Sequence, residues 1–246
     1  MIKFNKEVLM IKFTYKGVKY DGLIIFPYDA NSNDNELFFR EYSGIVAKGL
    51  LDQEKWIPPI KQDNLNKLIP NNDGTSKAKI PTLDGIETLL FLYSPVDYLS
   101  KKRVCELNKK AQDMFKEEGN YYLKEPGILE NLLYRVENSI SFGVNRMPTL
   151  IYKAAEIWYT IARYQAFSNG NKRTALLATV DFLQNNFLKI DISPEKQMEN
   201  ELYGISLRIA NGQYDKQNVI EFIKANAVVN FKMIDYVVKN SNIFKK

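Results

Sequence analysis

The most informative segment of the chain is Gln165-Ala-Phe-Ser-Asn-Gly-Asn-Lys-Arg-Thr174. It contains a turn residue, Gly170, and it separates two longer segments whose apolar residues recur at helical spacing. The first of these segments spans residues 149–164, with a Thr that is suitable as an N-cap, and the second spans residues 171–187. The sequence therefore predicts two long helices joined by this loop.

A loop that leads directly into a helix presents the first N–H groups of that helix, at the positive end of the helix dipole. Here these would be the N–H groups of residues 170–173, facing outward. Such a helix start binds anions, and phosphates above all. Lys172 and Arg173 add positive charge, and an arginine can chelate two phosphate oxygens at once. The alternative interpretation is an ordinary helix start with exposed basic residues.

The composition is that of a globular protein, with 45% hydrophobic and 26% charged residues among 246. It also excludes several kinds of site. The single cysteine, Cys105, excludes a disulfide within the chain and a metal cluster built from cysteines. The absence of histidine excludes a Ser-His-Asp triad, a His-ligated zinc ion and a histidine general base.

The net charge of +5, from 34 Lys and Arg against 29 Asp and Glu, is mildly basic and shows no run of like charges. A dedicated nucleic-acid surface is usually visible as a basic patch or a known motif, and neither is present. Residues 1–13 lack the apolar centre of a signal peptide, and the longest apolar stretches, 23–26 and 89–93, are too short to span a bilayer. We therefore expect a cytoplasmic protein that contacts neither a membrane nor a nucleic acid.

The beginning of the chain differs from the rest. Residues 9–26 carry β-branched and aromatic residues around Lys16-Gly17 and Asp21-Gly22, which predicts a hairpin or a small meander. A proline-rich segment further along the chain predicts an irregular connector, which is followed by a short helix that begins at Thr82. We predict a small β-containing module over 1–56, the connector and short helix over 57–96, a helical domain over 97–227 and a C-terminal helical extension over 228–246.

The rest of the chain, from Ser100 onward, is predicted to form a helical bundle with one interruption. Ser100 is a suitable N-cap for a helix through Phe115, and another helix begins at Pro126. Further amphipathic helices are predicted over 199–211 and 215–227. Between these helices, residues 139–148 alternate polar and apolar residues around Gly143 and predict a non-helical segment. The predicted fold is mainly α, and α+β overall.

The loop resembles the signature of the Fic/Doc family, His-Pro-Phe-x-Asp-Gly/Ala-Asn-Gly/Lys-Arg. Three further segments also resemble the family, and each occurs at the corresponding place in the chain. They are Leu99-Ser-Lys-Lys-Arg-Val-Cys-Glu-Leu, Glu125-Pro-Gly-Ile-Leu-Glu130 and Lys153-Ala-Ala-Glu-Ile-Trp158. The resemblance covers roughly residues 97–227 and implies a helical bundle with a β-hairpin flap. It also implies transfer of a nucleotidyl or phosphoryl group from a nucleoside triphosphate, with Mg²⁺, to a hydroxyl on a target protein.

The resemblance implies a role for each position of the loop. Phe167 would anchor the loop in the core, and Gly170, Asn171 and Lys172 would form an anion hole, with the Asn171 side chain also near phosphate. Arg173 would clamp the outer phosphates. Lys172 stands where the nucleotidyl-transferring members have Gly, so the loop is more similar to that of the phosphate-transferring Doc branch.

The interruption at 139–148 would be the flap, which aligns an extended target segment by strand addition. Its central residues are Ser141, Phe142, Gly143 and Val144. No segment of the chain matches the family's inhibitory Ser/Thr-x-x-x-Glu-Gly/Asn helix, so an active protein would need a separate antitoxin as its partner.

Two positions depart from the family's pattern. Gln165 stands at the position of the catalytic His, and a Gln amide can orient a hydroxyl but cannot accept its proton. Losing a general base costs about 10²–10⁴ in rate. Asn169 stands at the position of the metal-binding acid and leaves only a neutral oxygen, whereas Mg²⁺ prefers carboxylate and phosphate oxygens. The Mg²⁺ ion would then have to be held by the nucleotide itself.

A base from elsewhere in the chain is the alternative, and the two candidates are Glu156 and Asp181, on the helices before and after the loop. Both are interpreted as solvated or capping charges rather than as a base, and Trp158 is interpreted as a core residue. Tyr121 and Tyr122 lie next to a turn, and no role is predicted for them.

Three hypotheses follow. The leading one is a degenerate Fic/Doc protein that binds a nucleotide or another phosphate-bearing ligand without the usual catalysis. The second is an active toxin-type transferase that uses non-standard base chemistry. The third is a structural or nucleic-acid-associated adaptor.

Overall fold

The computed structural model describes residues 10–31, 35–51, 74–82, 85–115, 119, 121–192 and 195–244. The chain divides into two compact units. The first consists of Met1–Asp29, Asn35–Val96 and Val228–Lys246, and the second of Ala30–Asp34 and Asp97–Ala227. None of the helices in the described ranges combines the length and the apolar character that crossing a membrane requires.

The first unit is built on a three-stranded sheet in which β5 (Gly85–Pro95) lies between β3 (Gly22–Tyr28) and β4 (Thr75–Thr82). In this sheet β3 runs parallel to β5, whereas β4 runs antiparallel to it. The predicted hairpin around Lys16 and Gly17 is present as the separate pair β1 (Phe13–Tyr15) and β2 (Val18–Tyr20). The elements are β1 (Phe13–Tyr15), β2 (Val18–Tyr20), β3 (Gly22–Tyr28), α1 (Glu36–Leu51), β4 (Thr75–Thr82), β5 (Gly85–Pro95) and, near the end of the chain, α8 (Phe231–Asn240).

One prediction for this unit is wrong. The segment after Thr82 forms the strand β5 and not a short helix, because its apolar centre, Leu89 to Phe91, is buried between β3 and β4. A short apolar run of this kind is typical of a buried strand. The predicted helical extension over 228–246 contains α8, and these residues group with the first unit. The predicted connector lies, up to residue 73, outside the described residues.

The second unit contains the helices that the periodicity predicts, with ends that differ by a few residues. Ser100 caps the first of them, since its Oγ accepts the N–H of Arg103 at 3.1 Å. The elements are α2 (Lys101–Phe115), α3 (Pro126–Glu137), β6 (Ile140–Ser141), β7 (Val144–Asn145), α4 (Leu150–Tyr164), α5 (Asn171–Asn185), β8 (Leu188–Ile190), α6 (Glu195–Ala210), α7 (Lys216–Asn226) and β9 (Ala227–Val229), which ends in the first unit.

Helix α4 is the centre of this unit and is buried on nearly all sides, against α3, α5, α6 and α7. Its Trp158 is fully buried and donates from Nε1 to Ser206 Oγ of α6 at 2.8 Å, so the predicted core role is confirmed. A helix that is apolar all round must be enclosed by its neighbours. The loop that follows α4 is therefore attached to the most firmly packed element of the unit.

Candidate anion-binding loop

The loop between α4 and α5 turns through two residues in the left-handed conformation. Gln165 ends α4 at φ 51°, and Gly170 precedes α5 at φ 74°. Gly170 is required for a second reason, because a Cβ at this position would overlap the ring of Tyr121. A left-handed residue other than glycine costs about 1–2 kcal/mol, so Gln165 holds a strained backbone at this position.

The Asn171 side chain forms two hydrogen bonds across the loop. Its Oδ1 accepts the N–H of Phe167 at 2.9 Å, and its Nδ2 donates to the carbonyl of Phe167 at 2.7 Å. Phe167 itself is buried, as an anchor of the loop would be. Both polar atoms of the Asn171 amide thus bond inside the loop, and its remaining donors are the second N–H of Nδ2 and the backbone N–H.

Asn108 of α2 braces the loop from a neighbouring helix. This buried side chain donates from Nδ2 to the carbonyl of Asn169 at 3.0 Å and to Thr174 Oγ1 at 2.8 Å. Thr174 Oγ1 in turn donates to the carbonyl of Gly170 at 3.0 Å. The carbonyl groups of the turn are therefore fixed by side chains from two helices.

The segment before α3 forms a second brace. The N–H of Ser168 donates to the carbonyl of Tyr122, and the N–H of Glu125 donates to the carbonyl of Ala166 at 2.9 Å. Tyr122 also donates its N–H to Ser168 Oγ at 3.1 Å. Together with the ring of Tyr121 against Gly170, these contacts give Tyr121 and Tyr122 a structural role that the sequence did not reveal.

A concave pocket of about 230 Å³ opens at this loop and is lined by the predicted loop residues, though not by those of the predicted flap. The guanidinium of Arg173 lies over the ring of Tyr203 from α6, with 5.8 Å between its Cζ and the ring centroid. Sequence reasoning missed Tyr203, since only the fold brings α6 to the loop. The lining residues are Ala162, Gln165, Ser168, Asn169, Gly170, Asn171, Lys172, Arg173, Tyr203 and Ala210.

The Asn169 side chain occupies part of the predicted anion hole. Its Oδ1 accepts the N–H of Gly170 at 2.7 Å, so this N–H is already bonded within the protein. The next two N–H groups, of Asn171 and Lys172, begin α5. An anion would therefore meet the helix start at residues 171–173 and not at Gly170.

The residues of this pocket do not fit a protein-held Mg²⁺ ion. Asn169 is neutral, and its oxygen already accepts a hydrogen bond. The described lining contains no Asp or Glu, and no group of three or more potential metal-binding side chains occurs anywhere in the described part of the chain. Because Mg²⁺ is usually bound through one or two carboxylates, the protein would supply little to hold it.

The predicted flap is a hairpin at the other end of α4. Strands β6 and β7 pair through a turn at Phe142 and Gly143, and Phe142 is fully exposed. The buried Lys153, in the first turn of α4, holds the base of the hairpin by donating to the carbonyl of Val136 at 2.6 Å and to Ser139 Oγ at 3.2 Å. The 15 residues of α4 separate this base from the loop by about 22 Å along the helix axis. The role of this hairpin in aligning an extended target segment stays a prediction.

The two carboxylates near the loop are not solvated charges. Glu156 is 2% exposed and pairs with Arg135, at 2.8 Å, and with Lys216. Asp181 is largely covered and pairs with Arg103 through two hydrogen bonds of 2.5 and 2.9 Å. The interpretation from sequence is wrong here, because both side chains face neighbouring helices and connect them.

Comparisons with known proteins identify the family of this chain. The model of the Fic/DOC family matches residues 98–183, which include α2 to α4, the loop and most of α5. The chain is also 31% identical over 88 residues to a protein named Toxin Doc from Mycolicibacterium smegmatis (strain ATCC 700084 / mc(2)155). This match covers 34% of the present chain and 67% of that protein. The chain belongs to the Fic/Doc family.

Proposed function

We propose that this protein binds a phosphate-bearing ligand in the loop pocket without transferring a group from it. The observation that carries the proposal is the placement of Lys172 and Arg173 in one small pocket at the start of α5. Small-molecule sites usually enclose about 300–1,000 Å³. A pocket of about 230 Å³ therefore suits a phosphate or diphosphate group, with the rest of a nucleotide outside it.

The absence of transfer follows from the chemistry of two side chains. Gln165 lines the pocket at the position of the family's histidine and does not titrate near neutrality. Asn169 supplies no negative charge for a metal ion. The general base and the metal-binding acid are thus both replaced by amides, which keep the shape of the loop but not its acid–base chemistry.

Thermal unfolding with a panel of ligands tests the binding. Pyrophosphate, ADP, ATP and nucleotide sugars would each be added with and without Mg²⁺. A ligand at about 100 times its Kd stabilises the folded state by roughly 2.7 kcal/mol, which gives a visible rise in Tm. We expect this rise for at least one ligand in the wild type and in Lys224→Ala, which removes an exposed charge from α7, but not in Arg173→Ala. No rise with any ligand would contradict the proposal.

A second candidate function, a toxin-type transferase with its own antitoxin and protein target, is favoured by the similarity to Toxin Doc. Transfer of radiolabel from ATP to proteins of a cell extract distinguishes the two. We expect no labelling by the wild type. The double variant Gln165→His/Asn169→Asp would restore both family residues, and labelling by this variant alone would show that the two amides block the chemistry. Repeated turnover by the wild type would establish the transferase instead.

A further inference from the structure

The helical unit has a second pocket, of about 480 Å³, between α3, α4 and the start of α7. It shares no lining residue with the loop pocket. Its volume lies within the usual range for small-molecule sites. The residues that line it are Gly127, Ile128, Asn131, Arg135, Glu156, Tyr159, Thr160, Tyr164 and Lys216.

A buried carboxylate organises one end of this pocket. Glu156 Oε1 is 2.8 Å from Arg135 Nη1 and accepts from Thr160 Oγ1 at 3.2 Å, while Oε2 pairs with Lys216. Both oxygens of the carboxylate are thus hydrogen-bonded, and the two cationic heads are held in fixed places. This arrangement is built into the fold, because Glu156 is only 2% exposed.

The charged end keeps a positive excess. Two cations face one carboxylate, and the side chains of Arg135 and Lys216 are each 43% exposed, so their remaining donors are open to a ligand. The Nε atom of Arg135 is buried and donates to no described residue. Lys216 is also the first residue of α7, where the helix dipole adds positive potential. This end of the pocket is therefore suited to an anionic group.

The other end of the pocket is apolar and aromatic. Ile128 lies about two turns along α3 from Arg135, and Tyr164 lies about 12 Å along α4 from Glu156. The rings of Tyr159 and Tyr164 meet edge to face, with their centroids 6.4 Å apart. A ligand that fits both ends carries one negative group and an apolar body.

We propose that this pocket binds a small organic acid. Its carboxylate contacts Arg135 and Lys216, and its apolar body lies against Ile128, Tyr159 and Tyr164. This site is separate from the loop and does not depend on phosphate binding there.

The test uses 3-phenylpropanoate as the probe, and its uncharged amide as the matched control compound, in saturation-transfer NMR with the full chain. We expect the acid to bind and the amide to bind at least about tenfold more weakly. The exposed Asn131 lies in the pocket but outside the ion pairs, so substituting it leaves Glu156 intact. Asn131→Glu adds a like charge and is expected to weaken binding about tenfold, whereas Asn131→Gln is expected to bind as the wild type does.

Arg173→Ala separates this site from the loop, since it is expected to leave the binding of the probe unchanged. No saturation transfer at millimolar concentrations of the probe would overturn the proposal. Equal binding of the acid and the amide would overturn it too, as would binding that survives Asn131→Glu but is lost in Arg173→Ala.

Discussion

The loop pocket and the second pocket of the helical unit hold their cations in different ways. In the loop pocket, the guanidinium of Arg173 lies over the ring of Tyr203. In the second pocket, Arg135 and Lys216 pair with the buried carboxylate of Glu156. An aromatic ring orients a cation, whereas a buried carboxylate depends on the cations beside it to offset its charge. The cations of the second pocket therefore connect helices in addition to facing the pocket, and we expect their removal to cost more stability than removal of the cations of the loop.

The largest expected effect is on stability, in the second pocket. The double variant Arg135→Met/Lys216→Met leaves the buried Glu156 without either cation and is expected to lower the free energy of unfolding by about 3–5 kcal/mol. The matched double variant in the loop, Lys172→Met/Arg173→Met, is expected to lower it by about 1 kcal/mol or less. Urea denaturation measures both. Similar losses in the two variants would contradict the comparison.

The second effect concerns the backbone of the loop. Gly170→Ala forces a left-handed alanine against the Tyr121 ring and is expected to cost about 2 kcal/mol and to weaken phosphate binding. Gly127→Ala is the matched control, since a Cβ at this position of α3, beside the second pocket, meets no atom within 4 Å. It is expected to leave both properties nearly unchanged. Thermal unfolding with and without pyrophosphate measures them, and equal behaviour of the two variants would show that the turn geometry is unimportant.

A carboxylate in the first unit sharpens the contrast with Glu156. Asp235 is buried, and burial raises its pKa to about 6, although the N–H of Ile11 and the charge of Lys239 act in the opposite direction. The unfolded chain releases this proton at lower pH than the folded protein does. The free energy of unfolding is therefore expected to fall as the pH rises from about 4 to 6 and to level off above this range.

Asp235→Asn tests this carboxylate, since an amide oxygen can still accept from Ile11 but does not titrate. Urea denaturation at several pH values is expected to show a flatter profile between pH 4 and 6 in the variant. An unchanged profile would mean that Asp235 titrates normally in the folded state.

The smallest expected effect is at Tyr203. Replacing it with Ala removes the ring beneath Arg173 and is expected to weaken phosphate binding about two- to fivefold, as the loss of an exposed cation–π contact would. Tyr203→Phe keeps the ring and is expected to bind as the wild type does. If both variants bind equally well, the ring does not position Arg173.

The sequence predicts the helical unit well because its signals are local. Apolar spacing marks the helices, and Gly170 marks the turn between α4 and α5. The braces of the loop could not be predicted, since Asn108, Tyr121 and Tyr203 reach it only through the tertiary fold.

The burial of Glu156 was missed although the sequence contains a signal for it. In a helix with apolar residues on nearly every side, a single carboxylate has no solvent face to occupy. Its partners, on α3 and α7, are far away in sequence and carry no such signal. In the first unit, β5 was missed because a short apolar run fits a buried strand or a helix equally well.

Calorimetric titration of pyrophosphate tests the central claim most directly. The wild type and Lys224→Ala are expected to bind one pyrophosphate with equal Kd. Arg173→Ala is expected to bind about 10–100-fold more weakly, as the loss of a charge-assisted hydrogen bond predicts. Equal binding by all three proteins, or no binding by the wild type, would contradict the account of the loop as a phosphate site.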